Sequence, residues 1–239
     1  MSSTIISSKA PQNSLLAGLS AQVYSRFEPH LEFVSLPVGK ILMEPGEPMM
    51  DAYFITSGMI SLVAILRNGD SLEVGVVGRE GVADVNVLLG CETSIYRAIV
   101  QVAATGLRIK ASVLTRLYNE SSPQARQVGQ QYIQFRINQV TQSAICNHAH
   151  AVEERLARWL LTTADTVGED YFDLTHEFLS QMLGVRRSSV TLAAGVLSAA
   201  GLIKYTRGHI VILKRPELED LACECYSILR NELESMMRP

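Results

Sequence analysis

Charge, aromatics and cysteine are all scarce in this 239-residue chain: 19% of residues are charged, 6% are aromatic, and there are one tryptophan and four cysteines. Cys91, Cys146, Cys223 and Cys225 are scattered without a Cys-x-x-Cys pair, which excludes a disulfide scaffold and offers no zinc-ribbon spacing. No apolar run approaches the ~18–20 residues of a membrane helix, and Met1 to Pro11 is serine-rich with a single lysine, unlike a signal peptide. A cytoplasmic location with no membrane partner is the expectation. Enzyme motifs are missing too: there is no Gly-x-x-x-x-Gly-Lys loop, Gly-x-Ser-x-Gly elbow or His-Glu-x-x-His pair, so a non-enzyme is expected. The hydrophobic content, 47%, is ordinary. It suffices at this length for one or two packed domains and speaks against disorder.

The formal net charge is −3 and the isoelectric point near 6.0, whole-chain values that count against a nucleic-acid binder. Their distribution reverses that inference. Residues 176–215 hold Arg186, Arg187, Lys204, Arg207, Lys214 and Arg215 against Glu177 alone, whereas residues 216–239 hold six acids against two arginines. The low total is a cancellation between a basic module and an acidic tail, and the basic module supplies the attraction that phosphates require.

From Leu31 to Lys110 short apolar runs are punctuated by turn residues about every 8–12 positions, which predicts an all-β unit over 31–120. Asn68-Gly69 predicts a two-residue type I′ hairpin turn, since both central positions need positive φ. Beyond Ser121 the period becomes helical: Ile133, Ile137, Val140 and Ala144 form one apolar stripe, and Val128, Tyr132 and Phe135 a second. A helix of this kind over 121–150 either packs both stripes in one core, or covers the β unit with one and pairs with its twin in a second chain through the other. Gln130, Gln131, Gln134, Gln139 and Gln142 keep its polar side largely uncharged, which suits a partner surface.

Leu174 to Leu192 carries the functional signal. Thr175 caps a first helix whose Phe178, Leu179, Met182 and Leu183 face inward, Gly184 supplies a left-handed turn, and a second helix starts near Arg187 or Ser188. By helical periodicity Val190, Ala193, Ala194 and Leu197 form its core face, with Ser188, Leu192, Gly195 and Ala199 outward and Arg187 and Thr191 at the edges. A helix entering the major groove end-on needs that distribution, with hydrogen-bonding groups in its first turn and small residues behind. Residues 201–213 alternate around Gly208 as a β-hairpin wing. The module over 151–215 therefore reads as a winged helix-turn-helix, followed by an acidic helix over 216–239 and preceded at 1–30 by a partly helical segment.

In this order the parts resemble the cyclic-AMP receptor/Fnr (Crp/Fnr) superfamily of bacterial transcription regulators. The likeness rests on Leu174-Thr175, Gly184-Val185-Arg186-Arg187-Ser188-Ser189-Val190 and Gly201-Leu202-Ile203, and in the β unit on Pro37-Val38-Gly39 and Tyr53-Phe54-Ile55-Thr56-Ser57-Gly58. It implies an α+β chain: a cyclic-nucleotide-binding-like β-roll or jelly roll, a long dimerisation helix and a C-terminal winged helix-turn-helix. The implied partners are double-stranded DNA at a pseudo-palindromic operator, a second copy of the chain, and RNA polymerase if the protein activates. The resemblance further implies that Thr175 and His176 touch phosphates and that Arg187 and Ser188 read base edges, with Ser189, Thr191 and Leu192 on the same helix. Arg186 would lie at the DNA backbone and Arg207 in the wing. Family members often have Glu at the Ser188 position and Arg at the Leu192 position, so the operator read here should differ.

Cyclic-nucleotide binders of the family hold the ribose with Gly-Glu and, about ten residues later, the cyclic phosphate with Arg followed by Ser or Thr and Ala. Here Gly78-Arg79-Glu80-Gly81 offers a carboxylate, but Arg97 comes seventeen positions after Glu80 and lacks the hydroxyl neighbour. Cyclic AMP fits poorly; another small-molecule effector at Arg79, Glu80 and Arg97, or no ligand at all, stays open. No iron–sulfur cluster or haem is expected, because no cysteine precedes Cys91, and Cys91 reads as a buried thiol with His30 the only other axial candidate. No metal site is expected either. His148 and His150 stand two apart on a helix and point different ways, Cys223 and Cys225 raise the same objection, and both pairs read as packing. Kinase and channel regulatory modules carry a similar β unit, and the winged helix separates this chain from them.

Overall fold

The computed structural model describes residues 12–206 and 208–237. Helices α1 (Ser14–Ala17) and α2 (Ala21–Phe27) precede strands β1 (Glu32–Leu36), β2 (Ile41–Met43), β3 (Asp51–Ile65), β4 (Ser71–Val77) and β5 (Arg97–Lys110). These strands make one antiparallel sheet in the order β1-β5-β3-β4, with β2 also on β5. After it come α3 (Ala111–Asn119), α4 (Pro123–Ala149), α5 (Val152–Val167), β6 (Tyr171–Asp173), α6 (His176–Leu183), α7 (Arg187–Ala199), β7 (Ile203–Thr206), β8 (His209–Ile212), α8 (Arg215–Leu221) and α9 (Cys225–Met237). The second sheet runs β6-β8-β7. The α+β class and the order β-roll, long helix, winged helix are those expected. Among the described residues no helix is long and apolar enough to cross a membrane.

The first sheet bends at its central strand. Strand β3 shifts register against β5 around Ser57 and Met59, where Gly58 adopts φ +76° and lies so close to the opposite strand that a Cβ would fall 2.3 Å from the Ala103 carbonyl oxygen. On either side of the bend Phe54, Ile55, Met59, Ile60 and Leu62 are fully enclosed. The β3–β4 turn differs from the two-residue type I′ turn that Asn68-Gly69 predicts. Gly69 N–H donates to the Leu66 carbonyl at 3.0 Å and Leu66 N–H to the Asp70 carbonyl at 2.8 Å, the pattern of a three-residue loop in which only Gly69, at φ +90°, needs the left-handed region.

The 27-residue α4 starts where Ser122 Oγ accepts from Ala125 N–H at 3.3 Å, with Pro123 in the first turn. Its two stripes have different fates. Tyr132 and Phe135 are buried against the β-roll, and the Tyr132 hydroxyl donates to the Val82 carbonyl at 2.8 Å. Ile133 is half-buried, whereas Ile137 is 55% exposed, Val140 43% exposed, and Ala144 exposed. Gln139 departs from the expected uncharged partner face: it is buried and bonds the Arg136 guanidinium, which also donates to the Val76 carbonyl.

The two halves of the chain share a core. Met59, Val63 and Val76 of the β-roll pack with Leu156, Trp159 and Leu160 of α5 and, through them, with the winged helix. Glu73 of β4 lies in that seam, accepting from the Trp159 indole N–H at 2.7 Å and from the Ser61 hydroxyl at 2.6 Å. The tail, expected as one acidic helix, is two, because the backbone is extended at Ala222 and restarts at Cys225. Leu233 and Met236 of α9 lie on the cluster around Tyr132 and Phe135. Arg215, counted above among the basic groups, turns away from the surface charge: it pairs with Asp165, Asp170 and Glu219.

Burial pushes the Glu73 carboxyl up to about 7, and the bonds from Ser61 and Trp159 only partly oppose it. The folded chain thus holds a proton that the unfolded chain has released, so this stability is complete below the ordinary carboxylate range and is lost as pH rises through about 7. Glu73→Gln should raise stability by about 2 kcal/mol at pH 8 and change it little at pH 5, measured by urea denaturation. Equal effects at the two pH values would contradict the assignment.

Candidate nucleic-acid interface

Helix α6 is fixed at both ends by side-chain and backbone chemistry that its sequence specifies. Thr175 Oγ1 accepts from Phe178 N–H at 3.1 Å at the start. At the end Gly184 sits at φ +61° while Val185 N–H donates to the Ser180 carbonyl at 3.0 Å, a Schellman closure. Leu179, Met182 and Leu183 are buried and Phe178 is half-buried against the same core, and Val190, Ala193, Ala194 and Leu197 of α7 are buried, the two inward faces that periodicity assigns. Arg155 of α5 braces the turn between the helices, donating to the Leu183 carbonyl and to Asn147 of α4.

The outward surface of α7 therefore presents Arg186, Arg187 and Ser188 at its start, all exposed, with Ser189 half-buried and Leu192 70% exposed further along. Behind Leu192, Gly195 has no atom within 4 Å of where a Cβ would stand. Lys204 of β7 and Lys214 beyond β8 are exposed as well. Arg207, expected in the wing, lies outside the described residues. Chemically this is a helix end with two guanidinium groups and hydroxyls projecting from it, followed by a surface narrow enough to enter a groove.

Two residues assigned to that surface are engaged elsewhere. His176, expected at a phosphate, stacks on the Tyr205 ring with 4.2 Å between centroids, and its Nδ1 lies 3.0 Å from Thr191 Oγ1. Its Nε2 is buried with no hydrogen-bond partner among the described residues. Burial, and the Arg187 charge after it, lower its pKa, so at neutral pH the ring is an uncharged brace between α6, α7 and the wing. Thr191 also donates to the Arg187 carbonyl at 3.0 Å, which turns its hydroxyl back onto the helix.

The three residues proposed for an effector are not brought together. Arg97 forms an ion pair with Glu44 at 2.9 Å. Glu80 is buried, accepts from Gly78 N–H at 2.8 and 3.0 Å, and has its pKa raised by burial. Arg79 and Glu80 line a cavity of about 560 Å³ between β4, α4, α5 and α9, together with Asp165 and Arg230; Arg97 is not part of its wall. Cys91, expected to be buried, is exposed just past the left-handed Gly90.

Reading His148 with His150 and Cys223 with Cys225 as separate pairs misses what the fold assembles. Cys146, His150, Cys223 and Cys225 converge, with one ligand-type atom from each lying within 4.8 Å of every other. The signal available in the sequence is the four-residue spacing of Cys146 and His150, which places them on one face of α4. Their meeting with the α8–α9 link is a long-range event that local spacing does not reveal.

Residues 33–121 match the cyclic nucleotide-binding domain family and residues 154–221 the Crp-like helix-turn-helix domain family. Over 199 residues the chain is 26% identical to the transcriptional regulator SdrP of Thermus thermophilus, covering 80% of this chain and 94% of that one. Among solved structures, TTHA1359, a CRP/FNR-family transcriptional regulator from Thermus thermophilus, superposes with a TM-score of 0.65 at 24% identity, covering 80% of this chain and 98% of the other. The c-di-GMP-responsive global regulator CLP of Xanthomonas campestris gives 0.66 at 19% identity, covering 81% and 99%.

The turn between α6 and α7 is tight in a way that can be tested. A Cβ on Gly184 would approach Leu72 Cδ1 to 2.8 Å as well as strain the left-handed backbone. Gly184→Ala is expected to cost about 1–2 kcal/mol in thermal denaturation; an unchanged midpoint would mean that neither constraint acts.

Proposed function

Because this chain belongs to the Crp/Fnr-type transcriptional regulators, with a cyclic nucleotide-binding domain followed by a DNA-binding helix-turn-helix, we propose that it acts as a cytoplasmic, non-enzymatic homodimer on a pseudo-palindromic operator. The observation that carries the proposal is the open stripe on α4. Ile137, Val140 and Ala144 lie exposed at helical spacing while Tyr132 and Phe135 of the opposite stripe are buried against the β-roll, and a second copy of the same helix satisfies that surface with the symmetry a palindrome demands. Two copies of α7 then enter successive major grooves about 34 Å apart.

Within each half-site Arg187 pairs with a guanine and Leu192 contacts an apolar base edge such as a thymine methyl. Arg186, Lys204 and Lys214 supply sequence-independent phosphate attraction. Thr175, whose hydroxyl caps α6, offers the α6 N-terminus to a phosphate. The β-roll signal enters at the cavity beside Arg79 and Glu80. A cyclic nucleotide is disfavoured in the β-roll, since Arg97 is committed to Glu44, away from that cavity, and Glu80 to Gly78. Those same commitments favour a second reading, in which the dimer binds DNA without any ligand.

Operator selection from random duplexes with the purified chain tests the proposal; a single, unpaired half-site in the enriched pool would count against a symmetric dimer. Arg187→Ala should weaken operator binding by about 1–3 kcal/mol and relax one position in each half-site. A loss of the same size on every duplex would make Arg187 a phosphate contact instead. Val140→Glu should yield a folded monomer in sedimentation experiments, with operator affinity reduced in parallel. A dimer that survives it would place the interface elsewhere.

A further inference from the structure

We propose that Cys146, His150, Cys223 and Cys225 form a structural zinc site that clamps the α8–α9 link to the end of α4. The thiols are free and those of Cys146, Cys223 and Cys225 are buried. Cys146 Sγ lies 3.5 Å from Cys223 Sγ, and Cys225 Sγ 3.6 Å from His150 Nδ1. Tetrahedral zinc with ordinary Zn–S and Zn–N bonds holds neighbouring ligand atoms about 3.5–3.8 Å apart. Two of the six separations thus already match the edges of a zinc tetrahedron, and the limit of 4.8 Å between any two leaves room for one ion and none for a cluster with its own sulfides.

The surroundings match as well. His150 offers Nδ1 to the centre while its Nε2 lies 3.2 Å from a Glu224 carboxylate oxygen, the carboxylate–histidine arrangement that fixes the tautomer and orientation of a metal-bound imidazole. Gln142 Nε2 donates to Cys225 Sγ at 3.1 Å. Three thiolates and one zinc leave a single negative charge, and the Arg155 and Arg158 guanidinium groups lie close enough to act on these sulfurs. Binding displaces up to three thiol protons to solvent and changes no oxidation state. With all four positions taken by protein, no place is left for water or substrate, so the ion is structural.

Position gives the site its consequence. Cys146 and His150 sit one turn apart at the end of α4, whereas Cys223 and Cys225 flank Glu224 where the chain leaves the winged helix, and a turn from Tyr226 N–H to the Cys223 carbonyl at 3.0 Å lets both thiols face the same point. The ion closes a loop that contains α5 and the whole DNA-binding unit. It therefore fixes that unit to the long helix at its exit as well as its entry.

The full chain, purified under reducing conditions, should carry one zinc per polypeptide by mass spectrometry and no acid-labile sulfide. Stripped and reloaded with Co²⁺, it should develop the visible and near-ultraviolet absorption of tetrahedral cobalt–thiolate bonding. Cys223→Ser should abolish both signals, Cys91→Ser neither, and His150→Cys, which keeps four ligands, should retain the metal. Glu224→Gln should weaken zinc binding by about 10–100-fold. A wild-type chain that takes up neither stoichiometric zinc nor cobalt, that isolates with iron and sulfide, or that holds a Cys146–Cys223 disulfide under reducing conditions overturns the proposal, and none of these readouts depends on DNA binding.

Discussion

A β-roll and a winged helix could each bury their own apolar residues and meet loosely; here they share one interior. Met59, Val63 and Val76 belong to the same core as Leu156, Trp159 and Leu160, and polar groups at the seam bond across it. Glu73 needs the Trp159 indole and the Ser61 hydroxyl. The Val76 carbonyl needs Arg136, which in turn needs Gln139. Because an unpaired buried polar group costs on the order of 1–3 kcal/mol, a slide of α5 across β4 would forfeit the Trp159–Glu73 bond, and a slide of α4 the bond from Arg136 to the Val76 carbonyl. The seam is therefore better described as a small number of discrete arrangements than as a soft contact, which is the property a signal-transmitting joint requires.

Features written in local spacing were legible from the chain alone. The inward face of α7 follows from Val190, Ala193, Ala194 and Leu197, the closure of α6 from Thr175 and Gly184, and the division of α4 into a used and an unused stripe from the positions of Tyr132 and Val140. Where an outcome depends on a distant partner, spacing was silent. Arg215 looks like one more basic group until the fold delivers Asp165 and Asp170 to it; Arg97 looks available to an anion until Glu44 arrives. The Asn68-Gly69 turn fell between these cases: the residue pair was read correctly as a turn, but the register of the flanking strands moved the bend one residue earlier.

His176 illustrates how a surface can be specified by groups that do not reach it. Its ring is stacked on Tyr205 and tied to Thr191, so it joins three elements whose relative placement decides where Arg187 and Leu192 project. The polar residues at the start of α6 and α7 divide into those that hold the helix pair together and those that remain free for a partner. Ser188 and Arg187 belong to the second group because no element packs over them.

The way the tail returns to α4 also limits how the winged helix can move. The chain enters that unit between His150 and Ala151 and leaves it through α8, after which α9 runs back along the long helix, with Leu233 and Met236 against the cluster around Tyr132. A body attached at one point is free to turn about three axes, whereas one attached at two points can turn only about the line that joins them. Any reorientation of α7 relative to α4 that keeps both attachments is thus described by a single angle, and the spacing of two recognition helices in a symmetric pair becomes a function of that angle alone.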